Sequence, residues 1–598
     1  MFTFLDKKLT IAKPDYNRWL VPPAALAIHL SIGMAYGFSV FWLPLERAIG
    51  IKEPVLCPQG MSWLARVFTT NYDWEQSMLG WMFTLFFVLL GSSAALFGSW
   101  LERNGPRKAG VVAAFCWGGG FFVSALGVHY HQVILMWLGS GVIGGCGLGL
   151  GYISPVSTLV KWFPDKRGMA TGMAIMGFGG GAMIGMPLAD RLIKHYTTSA
   201  SVGVWETFVT LGCIYLVAML CGAFAYRIPA PGWKPHGWSG PVDTSSHLIT
   251  QDHVHVKNAH KAPQFWLLWA VLCLNVSAGI GIIYMASPML QQVFGGRLIG
   301  VAKPFGGLDA KQLALVATVG AGFGGLLSLF NIGGRIFWAS LSDHIGRKRT
   351  YFIFFVLGLL LYVSAALAAG LGSVVLFVVV FCVILTMYGG GFATIPAYLA
   401  DLFGTQYVGA IHGRLLTAWS TAGILGPVLV NFILKYQADR GIVGASAYNP
   451  VFYTVAGLLF LGFISNLLVR PVDKRHFMTE DELEEEWQLA PQEAVAATAA
   501  VESTKPIAAS WVKVGIGWGL VMAPLGWAIA QTAKTAMGFF REPIADSPMH
   551  PSHPGYSYGG VDAGNCGCVE AVPNGDESPR QNGQQERARA MRRAWRPG

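Results

Sequence analysis

Arg335 sits in LLSLFNIGGRIFWASLSD, inside a long apolar run and eight residues before Asp343. At ~1.5 Å rise per residue it lies ~12 Å in from the helix end, close to the middle of a bilayer core. A charge at that depth costs at least ~2.5–3.5 kcal/mol, so it marks either a ligand site or a buried pairing. The planar guanidinium suits a bidentate grip on a carboxylate, and hence a small organic anion. The acids an internal ion pair would need, Glu46, Glu102, Asp190, Glu206, Asp343 and Asp401, all fall near the ends of apolar runs. Asn331 lies one helical turn before Arg335 on the same face. It could orient the guanidinium or donate to a substrate oxygen, and plain interhelical hydrogen bonding would serve it equally. His29, about ten residues into the first run, is a candidate carrier of a coupling proton because imidazole titrates near neutrality. A hydrogen-bonded core histidine is the alternative.

Two loop motifs carry a second kind of chemistry. GSWLERNGPRK and ASLSDHIGRKR each place an acid at a helix end beside basic residues. Glu102, Arg103 and Arg107 in the first, and Asp343 and Arg347 in the second, could form charge locks that break when helices move. Positive charge for membrane topology would explain the basic residues, but neither the acids nor the repetition. The pairs Glu102/Asp343, Gly105/Gly346, Gly168/Gly409 and Gly172/Gly413 all share an offset of 241 positions. Four positions at one offset indicate two related halves, with a site at their interface. Arg335 has only Ala94 as its counterpart at that offset, so the charge breaks the symmetry.

The elements that must position these residues are membrane helices. The chain is 53% hydrophobic and only 12% charged, about half the charge of a soluble domain. Apolar runs of about 20 residues begin near residues 19, 77, 109, 132, 168, 203, 264, 312, 350, 373, 413 and 450, with a weaker thirteenth at 511–532. They do not alternate, which excludes a barrel. Lys and Arg in the loops favour the side of the N-terminus roughly two to one, so a cytoplasmic N-terminus is expected. The 75 glycines fit closely packed membrane helices. Most cysteines lie within the runs as small hydrophobes, without disulfide or metal spacing.

The expected organisation is an all-α membrane protein. A six-helix bundle over 1–227 is followed by a cytoplasmic linker over 228–263 and a second six-helix bundle over 264–472. An acidic cytoplasmic segment follows at 473–510, then a candidate extra span at 511–532 and a disordered tail at 533–598. The linker holds His236, His247, His253, His255 and His260, which read as solvated rather than metal-binding. The span at 511–532 contains Gly515 and Gly519 at GxxxG spacing, suited to docking on another helix. A spanning thirteenth helix would place the Arg-containing tail on the far side, against the charge rule.

KWFPDKRGMATG, APQFWLLW, SLFNIGGRIFWASLSDHIGR and LFGTQYVGAIHGRLLTAWSTAGILGP resemble the oxalate/formate antiporter family of the major facilitator superfamily, over about residues 16–472. The chain is also similar to monocarboxylate transporters. The resemblance implies twelve helices in two six-helix bundles, alternating access and small carboxylate substrates. It also implies that Arg335 binds the carboxylate, that Tyr36, Tyr152, Phe178, Tyr388 and Phe392 surround the cavity, and that Leu416 occupies another cavity position. Oxalate-exchanging members carry a lysine in the eleventh helix where this chain has Trp419. Losing that cation favours monoanions such as formate, lactate or pyruvate over a dianion. Asn331 stands where related lactate carriers place an acid or Asn, so no carboxylate there can carry a proton.

The function expected is secondary transport of a small organic anion, by exchange or proton symport, in the inner (plasma) membrane. The alternatives are a carrier of another anion and a transporter-fold sensor that signals through the acidic segment and tail. No nucleophile–base pair, metal spacing or phosphate loop supports an enzyme; GLGLG and GFGGG lie within spans. No cofactor, metal or nucleic acid is expected; the expected partners are the carboxylate substrate, lipid and, for symport, H+ as coupling ion, in a monomer.

Overall fold

A computed structural model describes residues 3–13, 15–51, 54–58, 60–230, 233–238, 248–479, 481–482 and 508–536. Thirteen helices in it are long and apolar enough to cross a membrane. They are α1 (Arg18–Leu45), α2 (Met78–Asn104), α3 (Pro106–His129), α4 (Val133–Trp162), α5 (Arg167–Tyr196) and α6 (Val204–Ala225). After the linker come α7 (Pro263–Ile283), α8 (Lys311–Ile345), α9 (Arg347–Leu371), α10 (Val374–Phe403), α11 (Val408–Ala438) and α12 (Ala445–Leu468), then α13 (Ser510–Thr532). Among the described residues there are no strands, only isolated bridges at Ile11–Ile228 and Val254–Phe477. All of 483–507 and the tail from 537 on lie outside the described residues, as does His247.

The repeat in the sequence has a direct backbone meaning. α2 ends at Gly105 and α8 at Gly346, both with φ 87°, a conformation that glycine adopts without penalty. Each glycine turns the chain straight into the next helix, α3 or α9. The packing repeats as well. In the first half α3 lies on α6, α2 on α4 and α1 on α5; in the second, α9 lies on α12, α8 on α10 and α7 on α11. The halves meet through α5 against α8 and α2 against α11, again a symmetric pair. These are two six-helix bundles around one interface.

Three departures from regular α-helix lie along the helices that supply the site. α1 tightens to a 3-10 helix over Gly33–Phe41, α4 opens to a π-helix over Trp137–Gly144, and α11 breaks at Leu416 between Val408–Leu415 and Thr417–Ala438. Such segments relax the regular ladder and commonly accompany function.

α13 lies across the seam between the bundles. Leu525 and Ala528 are buried with Leu26 of α1, Met176 and Met183 of α5 and Ile332 of α8. Ser510 accepts a hydrogen bond from Asn17 at the start of α1, while Trp527 lies under the Arg191 guanidinium near the far end of α5. α13 therefore runs alongside α1 in the same direction.

Candidate functional site

Arg335 is 1% exposed, at the α5–α8–α10 contact. Two glycines leave it room. A Cβ at Gly179 of α5 would come within 3.1 Å of its Nε, and one at Gly389 of α10 within 3.0 Å of its Cγ. Nε donates to Asn331 Oδ1 at 3.0 Å and Nη1 to the Ile175 carbonyl of α5 at 2.9 Å. The remaining nitrogen, Nη2, is buried with no partner. The bidentate fork expected from sequence is thus half spent on the scaffold: Nη2 alone is left to face a ligand. Asn331 takes the orienting role, one turn before the arginine.

Aromatic rings from both bundles close around this charge. Trp419 of α11 is the hub, with ring centroids 4.5 Å from Phe392 of α10, 5.3 Å from Tyr152 of α4, 5.4 Å from Phe178 of α5 and 6.3 Å from Tyr36 of α1. Tyr388 stacks edge-on to Phe392 at 5.3 Å, and the Arg335 guanidinium lies 5.7 Å over the Phe392 ring. Leu416 is fully buried at the α11 break, its carbonyl against Gly91 of α2. The hydroxyls of Tyr36, Tyr152 and Tyr388 and the indole N–H of Trp419 are buried without a hydrogen bond of good geometry, the Tyr36 hydroxyl lying within reach of both Arg335 and Tyr388. The three tyrosines are close enough to Arg335 to feel its charge. Unmet donors around one cation are an arrangement that could accept an anion, because a buried donor left unpaired is costly. Tyr36 is partly exposed and Ser39, one turn further on, is exposed.

His29 is fully buried beneath this cluster. Its Nδ1 lies 2.6 Å from the Ala174 carbonyl of α5 and its Nε2 3.1 Å from the Tyr152 carbonyl of α4. A neutral imidazole donates only one of these bonds, whereas an imidazolium donates both. Sequence reasoning missed His412 of α11, fully buried with its ring centroid 5.9 Å from that of Tyr152 and both ring nitrogens unpartnered. Its signal was visible as the one histidine in the apolar start of α11, in GAIHGR.

One end of the bundle pair is latched. Glu102, on α2, accepts from the Gly409 N–H at the start of α11 at 3.1 Å, and also from Ser157 and Lys161 of α4 at 2.9 and 2.5 Å. Asp343, on α8, accepts from the Gly168 and Met169 N–H groups at the start of α5, both at 2.8 Å, and from Arg347 at 2.6 Å. Each carboxylate thus caps the first turn of a helix in the opposite bundle, where free N–H groups and the helix dipole favour an anion. The shared offset of 241 is this exchange. Asp401 of α10 adds an unrepeated link, to Arg167 at 3.0 Å and Arg347 at 3.1 Å. Two expected gate residues stand apart. Arg103 is solvent-exposed, and Arg107 donates to the Phe4 and Tyr226 carbonyls, pinning the N-terminal segment to its own bundle. Of the linker histidines, His253 is half-buried beside Gly404, where desolvation and the nearby Arg167 push its pKa below the usual value.

The family model described as Major Facilitator Superfamily matches residues 25–427 and 329–545. Among curated proteins, the oxalate:formate antiporter of Oxalobacter formigenes is 26% identical over 478 residues, covering 78% of this chain and 96% of that protein. Apicoplast pyruvate carrier 1 of Toxoplasma gondii is 29% identical over 347 residues, covering 50% of this chain and 59% of that protein. The proton:xylose symporter XylE shares the fold, with a TM-score of 0.53 at 13% identity over 79% of this chain and 99% of that one. The two-bundle architecture and a family match running through both bundles agree, and the chain belongs to the Major Facilitator Superfamily as a multi-pass membrane transporter, not an enzyme.

Proposed function

We propose that this transporter carries a small monocarboxylate such as formate, lactate or pyruvate by alternating access. The observation that carries the reading is the Arg335 socket: one full positive charge, no carboxylate among its hydrogen-bond partners, and unmet donors from both bundles around it. A monoanion balances that charge. It would accept from Nη2 and from the hydroxyls of Tyr36, Tyr152 and Tyr388, while the rings of Phe178, Phe392 and Trp419 exclude larger or hydrated solutes. Because these donors come from opposite bundles, an anion among them draws the bundles together, and its departure frees them to rock. The named substrates of the two curated relatives, oxalate, formate and pyruvate, support the chemical class.

The latched end is the cytoplasmic one in this reading, because Lys161, Arg167, Arg347 and Lys348 cluster there. The N-terminus is then cytoplasmic, α13 crosses outward, and the membrane is the inner (plasma) membrane. The described linker residues 248–262, and 473–479 of the following segment, lie on the same side as the latch. His29 is the candidate proton carrier, since its two carbonyl partners can hold an imidazolium. Uptake of labelled formate, lactate and pyruvate into proteoliposomes tests the reading. Saturable flux that Arg335→Lys abolishes supports it; ligand-dependent stabilisation without flux points instead to a sensor.

A further inference from the structure

We propose that His412 is a proton-dependent second anion-binding residue, which lets the same cavity take a dicarboxylate when the imidazole is charged. The inference rests on the carboxylate reading above and extends it to a second substrate class. His412 stands on α11 seven residues before Trp419, and both rings lie against that of Tyr152, at 5.9 and 5.3 Å. It is fully buried, and neither ring nitrogen has a hydrogen-bond partner. A core histidine retained for packing alone would have at least one nitrogen satisfied, as His29 has two.

Charge balance gives the unused nitrogens their role. With His412 neutral, Arg335 is the one formal charge in the socket among the described residues, and a dianion would leave a net negative charge buried, which is strongly unfavourable. Protonation of His412 adds the missing charge on the opposite bundle face from His29, and adds two N–H donors. The two charges of the dianion and of the cavity then balance.

The ionisable groups around His412 are His29 of α1, which opposes a second charge only if it is itself protonated; Glu102 of α2, which binds the Gly409 N–H three residues away; Tyr152 and Lys161 of α4; Tyr388, Tyr398 and Asp401 of α10; and His255 and Lys257 of the linker. On its own helix Arg414 is turned outward and donates to the Val256 carbonyl. Glu102 is already paired with Lys161 and Asp401 with Arg167 and Arg347, so neither is a ready partner for the imidazolium. A bound dianion is.

The experiment is counterflow in proteoliposomes holding the full chain, with formate and oxalate as probes between pH 5.5 and 7.5. In this range oxalate keeps both charges, so changes in preference report the protein. Wild type should show an oxalate:formate ratio that rises as pH falls, approaching ~10-fold per unit above the imidazole pKa. His412→Asn and His412→Gln, which cannot take the proton, should give a flat, low ratio with formate uptake within a few-fold of wild type. Formate uptake also reports that the variants fold. A wild-type ratio independent of pH, or an acid-dependent ratio surviving in both His412 variants, overturns the proposal while leaving the monocarboxylate reading intact. Absence of formate, lactate, pyruvate and oxalate flux in wild type overturns both.

Discussion

The chemistry of the socket depends on how few of its polar atoms are satisfied. Arg335 spends two of its three nitrogens on Asn331 and Ile175. A lysine at 335 could neither keep both anchors nor leave a donor aimed inward. Arg335→Lys should therefore insert and fold but lose at least ~10-fold in carboxylate uptake, since a hydrogen bond to a charged group contributes about 1.5–3 kcal/mol. Uptake kinetics in proteoliposomes measure this. Trp419 touches rings from α1, α4, α5 and α10. Trp419→Lys would put a fixed cation at the centre of the cluster, so preference should shift toward oxalate by about tenfold or more at every pH; an unchanged ratio counts against the charge-count argument. Arg335 and Asn331 were legible in the sequence because a charge in an apolar run is a physical anomaly. His412 was visible as a histidine in an apolar run, but only tertiary packing shows that its two nitrogens go unpaired.

At the scale of helices, the latch rests on glycines at the two capped N-termini. A Cβ at Gly409 would overlap Glu102 Oε1 and come within 2.7 Å of the Ser157 Cβ, and one at Gly168 would meet the Ala339 carbonyl. Gly409→Ala or Gly168→Ala should therefore loosen the latched end, at a cost of about 1–3 kcal/mol for overpacking. Labelling of a cysteine placed at the buried Thr394, on a background without the native cysteines, should become faster from that side. The sequence contained the acids, the glycines and their common offset. It could not show that each acid reaches across to the other half, because the repeat marks equivalence and not partnership. α13 was legible as an apolar run, but its seat across α1, α5 and α8 was not. Leu525→Arg would bury a charge against Gly180 and Ile332. It should lower thermal stability by about 2.5–3.5 kcal/mol or detach the helix; unchanged melting of the purified protein would show that α13 does not pack there.

Across the whole molecule, symmetry and its violation divide the labour. Paired helices, turns and caps repeat between the halves, which suits two bundles rocking about a central site. The proposed substrate charge does not repeat: Arg335 corresponds to Ala94 at the shared offset, while Phe178 and Trp419 correspond to each other. The fold was readable from composition and apolar spacing, since a bilayer permits few architectures. The central claim, that one buried arginine inside an aromatic socket carries a monocarboxylate, is tested most directly by counterflow at neutral pH against formate, lactate, pyruvate, oxalate and malonate, in wild type and Arg335→Lys. The expected result is saturable exchange of at least one monocarboxylate in preference to both dianions, lost in the variant. Exchange that favours a dianion at neutral pH, or that survives Arg335→Lys unchanged, would contradict it.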